Sequence, residues 1–218
     1  MKVQTQVFSL LLITGIIISL VGAAYMWGKP LIDKKTTITD YGIAKDFVLK
    51  LDRKIVDIAN TGSGEATITL PKNLAGASIR VIPHDALSPE NNTIIFEFIL
   101  SQPMLDFIET STPFIPLETT SLEEIGTFGE SEPRVIILTG TPAGSEYKMY
   151  IKIHYRELDT TTAPRRGYKI AINRGQSNEI SGGETITISF NKEEIPSSQT
   201  GLIPWRINLN FSVSISPK

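Results

Sequence analysis

The sequence predicts an α+β protein: a long N-terminal helix, membrane span plus amphipathic stalk, followed by an all-β antiparallel sandwich-like domain. Three observations carry this reading. Residues 7–27, VFSLLLITGIIISLVGAAYMW, contain no charge. Apolar residues at Tyr41, Ala44, Val48, Leu51, Ile55 and Ile58 recur in alternating steps of three and four, the spacing of one helix face. After Gly64 the period changes to two, the alternation of half-buried strands.

Residues 1–6 form a short tail. The run 7–27 rises about 30 Å as a helix, the thickness of a hydrocarbon core. Tyr25 and Trp27 stand at its far end, where amphipathic rings favour the membrane–water interface, and Lys29, Lys34 and Lys35 follow. Gly15, Ser19 and Ala23 place small residues four apart on one face, which lets a neighbouring helix approach closely. The alternative for this segment is a cleaved signal peptide, with Lys2 ahead of the apolar run and Gly22-Ala23-Ala24 as the cleavage site. Lysines on both sides of the span leave its orientation open by charge alone.

Gly28-Lys29-Pro30 is expected to bend or briefly break the helix, because proline removes a donor and crowds the preceding turn. Residues 28–62 then form a kinked amphipathic stalk whose seam packs either on the chain's own sheet or on another molecule. Gly62 supplies the stop. Strands are expected at 65–70, 77–82, 93–100, 134–139, 146–157, 167–173, 184–190 and 203–216, within a domain spanning 63–218. Gly182-Gly183, Arg166-Gly167 and Thr141-Pro142-Ala143-Gly144 are turn material. Eight short strands so punctuated indicate a β-sandwich or related barrel. Residues 101–133, rich in Pro, Ser and Thr, read as a long acidic surface loop, with one helical turn at Leu122–Ile125.

Composition narrows the function. The 218 residues carry a net charge of −2 and no cysteine, which removes disulfide scaffolds, thiolate nucleophiles and a global basic field for nucleic acid. His84 and His154 lack acidic or cysteine company at metal spacing, and His154 alternates onto the polar face of its strand, as a solvated histidine would. Thr61-Gly62-Ser63-Gly64 follows a helix and precedes a strand, the reverse of a phosphate cradle. No nucleophile elbow or triad is visible. The reading is therefore of a non-enzyme without cofactor, metal or small-molecule ligand. Asn91-Asn92-Thr93 and Asn210-Phe211-Ser212 are glycosylation sequons at Asn91 and Asn210. Residues 81–133 hold ten carboxylates and no Lys or Arg, whereas residues 134–174 hold eight basic residues against three acidic. If the segments occupy different faces, Glu123 and Glu124 of one molecule could meet Arg165 and Arg166 of the next, and such a heterologous contact propagates into a filament.

The short tail, the apolar helix beginning QVFSLLLITG, the continuation LKLDRKIVDIANTGSGEATITLP and a β-rich head together resemble an archaeal type IV pilin-like protein. The resemblance covers about the first 70 residues, and the head by architecture alone. It implies hydrophobic helices packed in a filament core, heads facing solvent and a leader trimmed by a dedicated peptidase. Val3, Gln4 and Thr5 stand where processing wants Gly or Ala, and no acidic residue precedes Asp33. These departures imply a non-polymerising minor pilin or a single-span accessory protein of the cell envelope or archaellum. The expected function is that of a single-pass membrane-anchored structural protein with an extracellular C-terminal domain. Its partners are the membrane, further copies, or other pilin and envelope proteins. The alternative is a tethered β-sandwich module that binds glycan, peptide or surface-layer protein through residues 101–133.

Overall fold

The computed structural model describes residues 2–104, 114–118, 122–127, 129–159, 167–174, 179–181, 183–190 and 202–212. The chain divides into two compact units, Met1–Thr39 and Asp40–Lys218.

A single helix, α1 (Lys2–Thr61), supplies the first unit and opens the second. It is helical through Pro30, so the expected break at Gly28-Lys29-Pro30 is absent. The missing proline donor removes one ladder bond, and the turns on either side sustain the helix. Large apolar side chains from Leu10 to Trp27 are exposed, and the helix is long and apolar enough to cross a membrane. Two of its hydroxyls are satisfied locally, Thr14 Oγ1 donating to the Leu10 carbonyl and Ser19 Oγ to the Gly15 carbonyl, each at 2.8 Å. Polar atoms bonded back to the preceding turn are tolerated in hydrocarbon.

The second unit takes α1 from Asp40 as its core helix. Ala44, Val48, Leu51, Ile55 and Ile58 are buried and Tyr41 packs against the same cluster. The seam therefore faces its own domain. Phe47, Leu49, Asp52 and Ala59 are buried as well, so apolar contact wraps most of the helix, more than a single seam indicates. The helix ends as expected: Gly62 adopts φ 66° and its N–H bonds the Ile58 carbonyl at 3.0 Å, a left-handed cap that a side chain would strain.

Among the described residues twelve strands follow: β1 (Glu65–Thr69), β2 (Ser78–Ile82), β3 (Thr93–Leu100), β4 (Phe114–Pro116), β5 (Ile125–Thr127) and β6 (Arg134–Ala143), then β7 (Glu146–Tyr155), β8 (Glu157–Asp159), β9 (Gly167–Arg174), β10 (Glu179–Ser181), β11 (Thr185–Phe190) and β12 (Leu202–Ser212). They form two six-stranded sheets, ordered β1-β11-β12-β9-β8-β5 and β10-β2-β3-β7-β6-β4. Pairing is antiparallel except for β12 with β9 and β5 with β8, which are parallel. The expected loop 101–133 contains β4 and β5, and Ile125 begins a strand where a helical turn was expected. A three-residue strand leaves no readable period, which is why the sequence hides it.

Period two explains the second sheet's core face. Ile79 lies opposite Phe96, Phe96 opposite Ile151, and Ile151 opposite Leu138, and all four are buried. The first sheet contributes Ile68, Ile170, Ile172, Ile186 and Ile188 to the same core. Phe47 of α1 meets Phe96 with ring centroids 5.0 Å apart. Hairpin β6–β7 turns on Gly144-Ser145, Gly144 at φ 69°, with glycine at the first central position as a type II′ turn demands.

One polar residue stitches the sheets. Asn92 is buried at φ 57°. Its Nδ2 donates to the Tyr155 carbonyl at 2.6 Å and the Ile170 carbonyl at 2.8 Å, and its Oδ1 accepts from the Ile172 N–H at 2.8 Å. Asparagine tolerates the left-handed region better than most residues and here uses its whole amide.

Candidate functional site

The face of the second sheet turned away from the core carries a cleft of about 730 Å³. Its floor is read from register: Thr93 on β3 and Val135 on β6 flank His154 on β7, and Ile137 lies opposite Lys152. Pro89, Glu90 and Asn91 form one wall and Leu122–Ile125 the other, with Glu157 and Lys169 alongside. Leu122 is 51% exposed and Ile125 60%, so the second wall presents aliphatic surface to solvent.

Arg156 holds that wall in place. It is 1% exposed, its Nε donates to the Glu132 carbonyl and its Nη1 to the Glu123 carbonyl, each at 2.8 Å. Its own N–H bonds the Pro133 carbonyl at 3.0 Å. A buried guanidinium needs such acceptors around it. Gly126 permits the approach, since a Cβ there would lie 2.6 Å from Leu158 and 3.1 Å from Arg156 Nε. Thr127 N–H donates to the Ser131 hydroxyl oxygen at 3.1 Å. Part of the expected free loop is thus clamped to the domain.

His154 is half-buried, where the sequence suggested a solvated ring. Alternation along β7 sends it away from the core, and the walls then cover it. Its Nδ1 lies 3.0 Å from Thr93 Oγ1, which itself donates to the Asn91 carbonyl at 3.1 Å. Which of the two donates in this contact follows the imidazole tautomer. Burial lowers the His154 pKa below its ordinary value. Lys169 and Arg156 push in the same direction, while a bond to the Asn91 backbone and the charge of Glu124 oppose them.

A second ionic cluster joins α1 to the sheet. Asp52, 1% exposed, accepts from Tyr155 Oη–H at 3.0 Å and pairs with the Arg134 guanidinium, which also reaches Glu132 at 3.4 Å. Burial pushes the Asp52 carboxyl up to about 6. Arg134 and Tyr155 pull it back, and Glu132 and Glu118 add to the rise. Desolvation outweighs the pair, as is common for buried ions.

The charge segregation seen along the chain is not segregation in space. Strands β3, β7 and β6 are neighbours. Glu97 pairs with Lys148 and Glu90 with Lys152, both at 2.5 Å, and Glu132 with Arg134. The acidic and basic segments interleave in one sheet, so the expected surface dipole does not form among the described residues. Glu123 and Glu124 line the cleft. Arg165 and Arg166 lie outside the described residues. Asn91 lines the cleft beside buried Asn92, and Asn210 sits in β12 opposite Thr187. Gly15, Ser19 and Ala23 are exposed on the first unit, and a Cβ on Gly15 would meet nothing within 4 Å. The cleft and the Asp52–Arg134 pair were not foreseen. Asp52 sits one residue from the seam position Leu51, which was the available signal.

Comparison of the chain with protein families, curated proteins and solved structures returns no match in any of the three.

Proposed function

We propose that this is a membrane-anchored, surface-exposed structural protein of the cell envelope, pilin-like in organisation, which works through protein–protein contacts made by its β-rich head. The observation that carries the reading is the uncharged, exposed helix from Leu10 to Trp27. Burying those side chains in hydrocarbon is worth about 1.5–3 kcal/mol apiece for the larger ones, so water is not their working solvent. The small residues Gly15, Ser19 and Ala23 suit helix–helix contact within the membrane. Heads on the outer surface, with β-sandwich composition and sequons, suit the extracellular side.

Protease treatment of intact cells tests the reading. The head should be digested while residues 7–27 stay with the membrane. A head protected until the cells are broken would place it inside and refute the envelope role.

A second reading, a tethered binding module, is favoured by the cleft. It adjoins residues 122–125, within the segment expected to bind. Tyr155, the aromatic residue lining it, is fully buried and offers no stacking face for a sugar, so the cleft favours peptide or amine over glycan.

A further inference from the structure

Of the sheet edges among the described residues, β4, β5 and β10 are three residues long, and β4 carries Pro116. Shortness and proline are two ways in which natural edges are blunted. Strand β1, EATIT, is different, with five residues and neither lysine nor proline. Its pairing fixes which groups face outward. Leu70 N–H donates to the Glu184 carbonyl at 2.9 Å, and the Gly64 carbonyl accepts from Phe190 N–H at 3.3 Å. Even-numbered residues therefore turn their backbone toward β11. Alternation in an antiparallel pair then turns the N–H and C=O groups of Glu65, Thr67 and Thr69 away from it. Among the described residues no strand or backbone group meets them. Pro71, next in phase, has no N–H and ends the row.

A groove of about 550 Å³ adjoins this edge, lined by α1 and β1 and by no residue of β11. Ile43, Phe47, Ile68 and Pro71 give it apolar surface, and exposed Asp46 and Lys50 stand on the α1 side. We propose that the β1 edge docks an extended segment of a partner polypeptide, antiparallel to β1, with branched apolar side chains at alternate positions and a cationic side chain opposite Glu65. The proposal rests on the reading of the head as a protein-contact module and names its contact surface. In strand addition the main chain supplies affinity and alternate side chains supply specificity. Antiparallel pairing is the more stable per residue. Partner residues opposite Ala66 and Ile68 fall on the inward side, which those two less exposed residues mark. Asp46 and Lys50 offset one another there, so uncharged apolar side chains fit the groove. Residues opposite Glu65, Thr67 and Thr69 fall on the exposed side. Glu65 makes no ion pair among the described residues, and an opposite charge directly across two strands is favourable.

The matching peptide is acetyl-Thr-Val-Thr-Val-Lys-amide. Its threonines fall opposite Thr69 and Thr67, its valines opposite Ile68 and Ala66, and its lysine opposite Glu65. The central threonine exchanges both backbone hydrogen bonds with Thr67 in this register. Proline at that place removes the donor and leaves the Thr67 carbonyl without its partner. On the protein, Thr67→Pro removes the outward N–H and spares the bonds to β11, a place where edge strands accept proline.

The test is amide hydrogen exchange of the full chain in uncharged detergent micelles, read residue by residue by NMR. Without peptide, the amides of Thr67 and Thr69 should exchange faster than those of Ala66 and Ile68, which face β11. At about ten times its Kd the lysine peptide should slow Thr67 and Thr69 about tenfold. The central-proline peptide should bind about tenfold or more weakly. Thr67→Pro should abolish the slowing at Thr69 with circular dichroism unchanged. Glu65→Lys, a change on an exposed side chain, should favour the same peptide ending in glutamate over the lysine peptide by about two- to fivefold. Slowing that needs no peptide and grows with protein concentration would support the edge as the docking surface and identify the added strand as a second copy's. Equal binding of the threonine and central-proline peptides would overturn strand docking, and indifference to Glu65→Lys would overturn the partner's charge. Exchange at Thr67 as slow as at Ile68 in the dilute chain would show the edge already covered and overturn the proposal. No slowing by any peptide would overturn the surface and leave the envelope reading standing, since protease treatment of intact cells decides that reading independently.

Discussion

Asp52 gives the account its most quantitative prediction. In the unfolded chain its carboxyl titrates near 3.8, and in the fold near 6. Each pKa unit is worth 1.36 kcal/mol, so the charged form is disfavoured in the fold by about 3 kcal/mol relative to the protonated form. A folded-state pKa raised above the unfolded one means that the native state holds the extra proton between those values. The corresponding stability is fully present below pH 3.8 and is lost as pH rises through about 6. Asp52→Asn removes the titration while retaining the shape and an acceptor for Tyr155. It also leaves Arg134 with Glu132 as its ionic partner, a cost that does not vary over this window because arginine stays charged. The difference in stability between variant and parent should therefore favour the variant more at pH 7 than at pH 4, by about 2.5 kcal/mol. For a domain of this size that is roughly 5–10 °C in Tm. The assay is thermal melting of both proteins in nonionic detergent, followed by circular dichroism of the sheet, at half-unit steps from pH 4 to 7. Parallel curves across the whole range would refute the reasoning.

Three further outcomes follow from named contacts. Asn92→Ala should lower stability by about 3–5 kcal/mol, since it strands three buried backbone partners and puts alanine at φ 57°; urea titration measures this, and a loss below 1 kcal/mol would contradict the stitching role. Gly140→Ala brings a Cβ within 2.6 Å of Met149 Sδ and should cost about 1–3 kcal/mol, with Met149→Ala relieving the clash in a double variant judged by the same titration. Leucine at both Gly15 and Ser19 keeps insertion favourable but closes the small face, so crosslinked oligomers in membranes should diminish; oligomers unchanged in an inserted variant would move the contact to the head.

The long-period features were legible because many residues repeat them. The uncharged run, the seam from Tyr41 to Ile58 and the alternation in β3 and β7 all extend across several turns or pleats, and the α+β class follows from them. Gly62 was readable as a stop because a left-handed cap nearly requires glycine. Strands β4, β5, β8 and β10 were not foreseen as separate elements, because three residues cannot display a period and their pairing is supplied by neighbours distant in sequence. The stalk proved to be the head's own core helix from Asp40, a distinction a heptad-like seam cannot make, since the same face suits a sheet or another helix. Charge balance misled for a related reason. Glu90 and Lys152 are 62 residues apart along the chain and in contact in space, and only the β3–β7 pairing makes that visible. The cleft depends on the same pairing: His154 reads as one more polar alternation until the Arg156-anchored wall covers it.

The central claim is that the uncharged helix anchors the head to a membrane. Alkaline carbonate extraction of membranes from cells producing the untagged chain, with the N-terminus of the recovered protein sequenced, tests it most directly. The account predicts that the protein stays in the membrane pellet and that its recovered chain still contains all of residues 7–27. A soluble chain beginning near Tyr25 would instead show that the segment is a cleaved signal, and would contradict the anchor and the assembly built on it.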